Sequence, residues 1–230
     1  MGADETSAAG HEDGARLGHH AAEDSVPPTR PLPGSFYRRD TAVVARDLLG
    51  CQLIRTFPGG ERRAVVIVET EAYLGVKDRA AHTWNGRRTP RVAPMWGPGG
   101  RAYVYFVYGM HFCLNVVTQK EGVPEAVLLR AAVSEEWWEA WRKGSPSSLS
   151  KKILLHSGPA KLCASFRVTA ALSGVSLSGP DLMISRGPRA RFDVLVGPRV
   201  GVEYAGETAA WPLRFAVAGC PAVTRRSLLS

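Results

Sequence analysis

A run of four apolar residues, 65–68, leads without a break into Glu69-Thr70-Glu71-Ala72-Tyr73. Short β-branched runs bounded by turn signals are typical of buried strands. The alternation of a strand places Glu69, Glu71 and Tyr73 on one face. Two carboxylates at the end of an apolar strand are costly to bury unless they are paired or used in chemistry. This stretch therefore predicts a functional site inside a sheet.

A second stretch, residues 103–117, predicts a β-hairpin that is rich in tyrosine. Gly109-Met110 would form a two-residue turn between its strands. Tyr108 would then lie at the hairpin tip, where a large aromatic side chain has little core to fill. Asn115 would return level with Tyr105 on the opposite strand. Ordinary sheet packing also explains the tyrosines on the strands, but it explains Tyr108 least well.

The charge of the chain is unevenly distributed. The net charge is +8, yet the first 30 residues hold six of the 21 acidic residues and only two of the 29 basic ones. Residues 31–230 are therefore strongly basic. A basic folded body favours a polyanionic partner, most often nucleic acid, although basic surfaces also serve solubility alone.

The chain of 230 residues is 45% hydrophobic, which is enough for one substantial core. Residues 1–33 lack an apolar period and are predicted to be a disordered acidic tail, with one folded domain over 34–230. The four cysteines have no metal-binding spacing and are expected to be reduced thiols. No signal peptide or membrane span is expected, so the predicted location is the cytoplasm, or the nucleus in a eukaryote.

The rest of the pattern favours strands joined by hairpins, with a few short helices. Helices are predicted to begin at caps near Asp40, Ser134 and Ser157. Residues 74–100 are expected to form an irregular loop, and Arg130 to end an apolar strand. These elements predict an α+β fold around an antiparallel sheet.

Eight short motifs follow one another in chain order: Glu-Thr-Glu-Ala-Tyr (69–73), Ala-Ala-His (80–82), Thr-Pro-Arg (89–91), Tyr-Val-Tyr-x-x-Tyr-Gly-Met (103–110), Leu-Leu-Arg-Ala (128–131), Ser-Gly-Pro-x-Lys-Leu-Cys (157–163), Arg-Val-Gly-Val (199–202) and Ala-Gly-Glu (205–207). Together they resemble those of the alkyladenine (3-methyladenine) DNA glycosylases, which excise alkylated and deaminated purines. The resemblance extends from about residue 36 to residue 225.

The resemblance implies a single α+β domain around a curved antiparallel sheet, with a protruding hairpin that intercalates into DNA. It implies a monofunctional glycosylase that flips the damaged purine out of the duplex and initiates base excision repair. Glu71 would be the general base that activates water, and Arg130 and the backbone carbonyl of Val200 would help to hold that water. The implied partner is double-stranded DNA containing damaged purines, bound by a monomer without metal or cofactor.

The same resemblance assigns the remaining site residues. Tyr73, His82 and Tyr105 would sandwich the extruded base, and Asn115 would exclude the exocyclic amine of guanine. The expected DNA-contacting residues are Tyr108 as the wedge, together with Met110, His111, Arg87 and Lys161. His111 departs from the tyrosine that some relatives carry there.

Two other functions stay open on the residues alone. Glu69 and Glu71 are equally placed to act as a base, and a carboxylate pair also suits a sugar glycoside hydrolase. A binding module that recognises damaged DNA without cleaving it is the other alternative.

Overall fold

The computed structural model describes residues 30–144, 156–188, 190–225, 227 and 229–230. Nearly all of the predicted acidic tail lies outside the described residues, as does most of a polar connector that the sequence predicts at 144–152.

Eight strands in the described part of the chain form one antiparallel sheet, as predicted for an α+β domain. They are β1 (Gln52–Thr56), β2 (Arg62–Tyr73), β3 (Ala102–Val107), β4 (His111–Thr118), β5 (Glu125–Ser134), β6 (Leu182–Ser185), β7 (Val194–Gly197) and β8 (Arg214–Val217). The main order is β3-β4-β5-β2-β1-β6, and β7 joins through β8, which also pairs with β2.

Strand β2 lies at the centre of this sheet. Strand β5 pairs with it along one side, whereas β1 pairs with its first half and β8 with residues 69–71 on the other side. Residues 65–72 are all buried, which explains the continuous apolar run. The pairing with β5 shifts register around Glu69. Both carboxylates of the predicted site therefore lie in a part of the sheet that has strands on both sides.

The described residues form four α-helices, α1 (Gly34–Tyr37), α2 (Thr41–Asp47), α3 (Glu135–Arg142) and α4 (Pro159–Ser165). The predicted caps of α2 and α3 are confirmed, because Asp40 accepts from the amide of Val43 at 3.0 Å and Ser134 from that of Trp137 at 3.2 Å.

The predicted Ser157 cap of α4 is wrong. Gly158 occupies the N-cap position, with φ at +98°, and Pro159 begins the helix. The Ser157 hydroxyl instead donates to the carbonyl of Ala222 at 2.8 Å. A hydrogen bond to a residue distant in sequence thus replaces the predicted capping hydrogen bond.

Residues 74–100 are more regular than expected. They contain three short 3-10 helices, Gly75–Lys77, Trp84–Gly86 and Pro90–Trp96. Val92 and Met95 from the last of these pack on Tyr103 in a small second cluster. Two further 3-10 helices span Ala170–Leu172 and Glu203–Ala210. The segment after β2 is thus a packed wall beside the aromatic hairpin.

Ordered contacts begin before residue 34, the predicted start of the folded domain. The Leu32 side chain is buried, and its amide donates to the carbonyl of Ile184 at 2.8 Å. Leu32 is a single apolar residue among prolines, so no periodic pattern marked it.

The four cysteines are all buried. In the described ranges, no helix is long and apolar enough to span a bilayer.

Candidate active site

Glu71 is completely buried and has three partners. One of its oxygens, Oε1, accepts from the backbone amide of Val200 at 2.8 Å and lies 3.2 Å from Nη1 of Arg130. The other, Oε2, accepts from the Tyr73 hydroxyl at 2.9 Å. Sequence reasoning expected the carbonyl of Val200 at the site, and the structure places its amide against the carboxylate.

Glu69 is equally buried, but its oxygens are fully engaged in the core. They accept from Nε of Arg130 and Nε of Arg214, each at 2.8 Å, and from the amide of Thr224 at 2.9 Å. The Thr224 hydroxyl adds a contact at 3.0 Å. Glu69 therefore neutralises two arginines and does not reach the cavity described below.

Arg130 bridges the two carboxylates. It lies in the middle of β5 and not at a strand end as predicted, and its side chain is 8% exposed. Burial works to lower its pKa, but the adjacent Glu71 and Glu69 outweigh burial and raise it. Arg130 is therefore a permanent cation held against Glu71.

An aromatic cavity of about 390 Å³ lies on the outer side of this cluster. Its lining includes the three contacts of Glu71, namely Tyr73, Arg130 and Val200, together with the predicted pocket residues His82, Tyr105 and Asn115. Cavities of this size suit small flat ligands. The cavity brings together residues that are scattered through the sequence.

His82 and Tyr105 form one corner of the cavity. Their ring centroids are 4.5 Å apart at an interplanar angle of 79°. Nδ1 of His82 is 2.8 Å from the Tyr103 hydroxyl. Burial, followed by the positive charges of Arg91 and Arg87, lowers the pKa of His82 to about 4, so its imidazole is neutral at pH 7.

Tyr73 is supported from behind by an ion pair that sequence reasoning missed. The guanidinium of Arg199 lies 4.7 Å from the Tyr73 ring centroid and donates to the carbonyl of Ala72 at 3.0 Å. It also forms a bidentate, fully buried pair with Asp78. Burial and the neighbouring Glu71 raise the pKa of Tyr73, which keeps its hydroxyl protonated as the donor to Glu71.

The predicted partner of Asn115 is wrong by two residues along the hairpin. Asn115 lies opposite Tyr103, and Tyr105 lies opposite Cys113. The loop between the strands has three residues, 108–110, and not the predicted two, so the register changes. Asn115 still lines the cavity, and its Nδ2 donates to the carbonyl of Tyr103 at 3.0 Å.

The hairpin tip presents the side chains that were predicted for it. Tyr108 is 84% exposed and Met110 is 68% exposed. Tyr108 has φ at +53°, an uncommon conformation for a non-glycine residue. His111 begins β4 and, like Tyr108, lines the mouth of the cavity.

The other two predicted DNA contacts are exposed but lie away from the cavity lining. Arg87 follows the second 3-10 helix and Lys161 lies in the first turn of α4. The structure brings neither of them into the cavity wall.

Three further arginines bear on the site and were not singled out by sequence reasoning. Arg91 and Arg225 line the cavity, and Arg214 holds Glu69. The Thr-Pro-Arg motif was a signal for Arg91, whereas Arg214 and Arg225 come from the C-terminal part of the chain with no local signature.

The described residues contain no cluster of three or more histidine, cysteine or acidic side chains that could hold a metal ion. The site consists of a buried carboxylate, an arginine and aromatic walls around a cavity large enough for a purine ring. These features define a class of protein, namely proteins that bind a flat ring beside a buried carboxylate.

Comparison with known proteins identifies the family. The family model described as Methylpurine-DNA glycosylase (MPG) matches residues 35–221. Several relatives carry the name "Putative 3-methyladenine DNA glycosylase". One, from Desulfitobacterium hafniense (strain Y51), is 43% identical over 190 residues, which are 80% of this chain and 93% of the relative.

Two more relatives carry the same name. The Methanocella arvoryzae protein is 45% identical over 85% of this chain and 96% of its own length. The protein of Anaeromyxobacter dehalogenans (strain 2CP-1) is 48% identical over 84% of this chain and 85% of its own length. The chain belongs to the methylpurine-DNA glycosylase family and is a DNA glycosylase of DNA repair.

Proposed function

We propose that this enzyme flips alkylated or deaminated purines out of double-stranded DNA and hydrolyses the N-glycosidic bond with a water that Glu71 activates. The observation that carries the proposal is the position of Glu71. It is fully buried, yet all three residues that contact it line an aromatic cavity large enough for a purine ring. A base inside a duplex cannot be attacked, so the cavity requires an extruded nucleotide.

The hydrolytic step uses the Tyr73 side of Glu71. Oε1 is engaged by Val200 and Arg130, which leaves Oε2 and its single bond to the Tyr73 hydroxyl as the place for a water. Glu71 takes one proton from that water while the water oxygen bonds to the sugar carbon. The bond to the purine breaks with its electron pair going to the base, and a neutral purine also takes up a proton as it leaves.

Tyr73, His82 and Tyr105 supply flat surfaces on which the extruded purine rests. Stacking on an aromatic ring contributes about 1–3 kcal/mol per base. Asn115 also lines the cavity, where its amide would oppose a 2-amino group. This arrangement admits adenine-like rings and works against guanine.

Tyr108 would enter the base stack and fill the gap that flipping leaves. A large side chain at an exposed tip loses no core packing when it does so, and insertion offsets part of the unstacking cost. Met110 and His111 would contact the same groove, and Arg87 and Lys161 the phosphate backbone farther out. The protein would act on double-stranded DNA as a monomer, in the cytoplasm or, in a eukaryote, in the nucleus.

The structure weakens both alternatives. A sugar hydrolase needs two carboxylates facing its substrate. Of the two buried carboxylates, only Glu71 has all its contacts in the cavity wall, whereas Glu69 is saturated by Arg130, Arg214 and Thr224. A module that only binds damaged DNA has no use for a carboxylate buried against an arginine.

None of the described residues that line the cavity is a lysine, which favours hydrolysis by water over a Schiff-base reaction.

The test uses duplexes that carry one hypoxanthine, ethenoadenine or 7-methylguanine, scored for abasic sites. We expect release of at least one of these bases by the wild-type protein and none above background by Glu71→Gln. Tight binding of the lesion duplexes without release by the wild type would establish a binding module. Sugars released from an oligosaccharide, with no abasic sites, would establish the hydrolase.

A further inference from the structure

Three arginines surround the ring of Phe57, which follows β1. The guanidinium carbons of Arg55, Arg63 and Arg167 lie 5.3, 4.8 and 5.1 Å from the ring centroid. Because cation–π contacts hold all three near one point, no two of these carbons are more than about 10 Å apart. The exposed Arg62 begins β2 beside them. We call these four arginines the Phe57 cluster.

The positive charge of the Phe57 cluster is largely unbalanced. Glu61 pairs with Arg63 at 2.6 Å, and both of these side chains are more than a third exposed. In the part of the chain that the structure describes, Arg55, Arg62 and Arg167 have no carboxylate within ion-pair distance. Arg167 is exposed as well. Four arginines and one glutamate leave a surplus of three positive charges.

The backbone at Arg167 is unusual for an arginine. Its φ is +46°, and its amide donates to the carbonyl of Ala164 at 3.1 Å, while the amide of Val168 donates to that of Cys163 at 2.8 Å. These two bonds form the Schellman motif that ends α4, and glycine is the usual residue at its left-handed position. A cation favours a helix C-terminus, but a residue in the last turn supplies it without left-handed strain.

Helix α4 connects the cavity to the Phe57 cluster. Ala160 in its first turn lines the cavity, Lys161 next to it is exposed, and Arg167 follows the last turn. The carbonyl of Ser165 accepts from Nη1 of Arg63 at 2.8 Å, which holds the end of α4 against β2. Seven helical residues rise about 10 Å. None of the four arginines lines the cavity, so the cluster lies just beyond its wall.

The chemistry of the cluster matches a run of phosphates. The planar fork of a guanidinium binds a phosphate through two hydrogen bonds. Each strand of a duplex carries one phosphate for about every 3.4 Å along the axis, so a cluster about 10 Å wide faces about three phosphates of one strand. Stacking on Phe57 orders three of the side chains in advance.

We propose that the Phe57 cluster binds the phosphate backbone of the lesion duplex, about three to five base pairs from the flipped nucleotide, at the distance that α4 spans. The inference rests on the proposed function, because it takes a duplex with one extruded nucleotide as the substrate. Phosphate contacts carry no sequence information, but they fix the register of a protein on DNA. The cluster therefore holds the flank of the duplex while the cavity holds the base.

The first experiment measures how binding depends on salt. Anisotropy gives the binding constant for an ethenoadenine duplex and for the matching undamaged duplex at several salt concentrations. Arg167→Gln removes the charge, Arg167→Lys keeps it, and Arg167→Gly removes both the charge and the left-handed strain. Arg46→Gln is the matched control, because the exposed Arg46 lies on α2. The Thr70 hydroxyl donates to the carbonyl of Ala45 at 2.8 Å, which places α2 on the face of β2 opposite to Glu71.

We expect Arg167→Gln and Arg167→Gly each to reduce the slope of log binding constant against log salt concentration by about 0.9, the value for one lost phosphate contact. Adding Arg62→Gln to Arg167→Gln should reduce it by about 1.8. Arg167→Lys and Arg46→Gln should stay within about 0.3 of the wild type. Arg167→Gly should also unfold at a higher urea concentration than the wild type, which separates the binding effect from loss of stability.

The second experiment locates the contact on the DNA. Neutral methylphosphonates replace three consecutive phosphates, in windows that move outward from the lesion. One window about three to five base pairs away should reduce the slope for the wild type and leave Arg167→Gln unchanged, because the contact is already lost.

Several results would overturn the inference. They are an unchanged slope for Arg167→Gln, an equal loss for Arg46→Gln, or an equal loss for Arg167→Lys. A loss that no window reproduces would assign the cluster to a second DNA segment and overturn it too. If the slopes behave as expected but the wild type releases no damaged base, the proposed function fails and the phosphate contact stands.

Discussion

The two buried carboxylates should separate chemistry from stability. Glu71→Gln keeps the size of the side chain but removes its ability to accept a proton. A general base contributes about 10²–10⁴ in rate, which is roughly 3–5 kcal/mol of barrier at about 1.36 kcal/mol per tenfold. We therefore expect excision by Glu71→Gln to fall by about that factor, with binding of lesion DNA unchanged or tighter because one negative charge is gone.

The structure also sets the stability cost of this change. Oε1 of Glu71 has two donors, Val200 and Arg130, and Oε2 has one, Tyr73. A glutamine amide that keeps its oxygen toward Val200 turns its NH₂ toward Tyr73, whose hydroxyl can rotate and accept. The remaining loss is the ion pair with Arg130. One weakened buried interaction of this kind costs about 1–3 kcal/mol.

Glu69→Gln should behave in the opposite way. Its carboxylate neutralises Arg130 and Arg214 and accepts from Thr224, and these partners are buried or half-buried. Removing one charge from such a cluster leaves an arginine uncompensated, at a cost of about 3–5 kcal/mol. Excision should stay within about tenfold of the wild type at temperatures where the variant is folded.

The assays are single-turnover excision of hypoxanthine, equilibrium binding to the same duplex, and urea unfolding of all three proteins. Comparing the rate and the unfolding free energy of each variant places each carboxylate in one role. An inactive but stable Glu69→Gln beside an active Glu71→Gln would refute the assignment of the base.

Three other outcomes follow from the geometry. Tyr108→Ser should change the unfolding free energy by roughly 0.5 kcal/mol or less, because the side chain is 84% exposed. The same variant should bind a lesion duplex about tenfold more weakly. If it unfolds easily instead, Tyr108 is a core residue. Asn115→Ala should raise the release of undamaged guanine above the wild-type rate, and an unchanged rate in a folded variant would remove its role as a filter. His82 has a pKa lowered to about 4, so between about pH 6.5 and 4 the unfolded chain takes up a proton that the folded protein does not, and stability falls as the pH falls. His82→Phe should flatten this part of the stability curve by up to about 3 kcal/mol, measured by urea unfolding at each pH, and an unchanged curve would mean that His82 titrates normally.

Much of the fold follows from local patterns in the sequence. The apolar run at 65–68 is buried in β2, Asp40 and Ser134 cap their helices, and Tyr108 is exposed at a hairpin tip. These features depend on strand periodicity, capping hydrogen bonds and turn residues. All of them act over a few positions, so they are readable along the chain.

The difference between Glu69 and Glu71 was decided only by the tertiary structure. In sequence they are alike, two residues apart on one strand. Glu69 is saturated by Arg214 and Thr224, which are 145 and 155 residues away, whereas Glu71 is bonded by an amide 129 residues away and lies behind the cavity wall. No local pattern can predict which of two carboxylates will meet donors from such distant segments.

The position of Asn115 opposite Tyr103 and the charge of the cavity wall were also decided only by the tertiary structure. The three-residue loop 108–110 sets Asn115 opposite Tyr103, and turn length is only weakly encoded by a Gly-Met pair. Arg91 and Arg225 come to one cavity from segments more than a hundred residues apart. The chemistry of this site depends on electrostatic contacts between remote segments, and those contacts exist only once the sheet has formed.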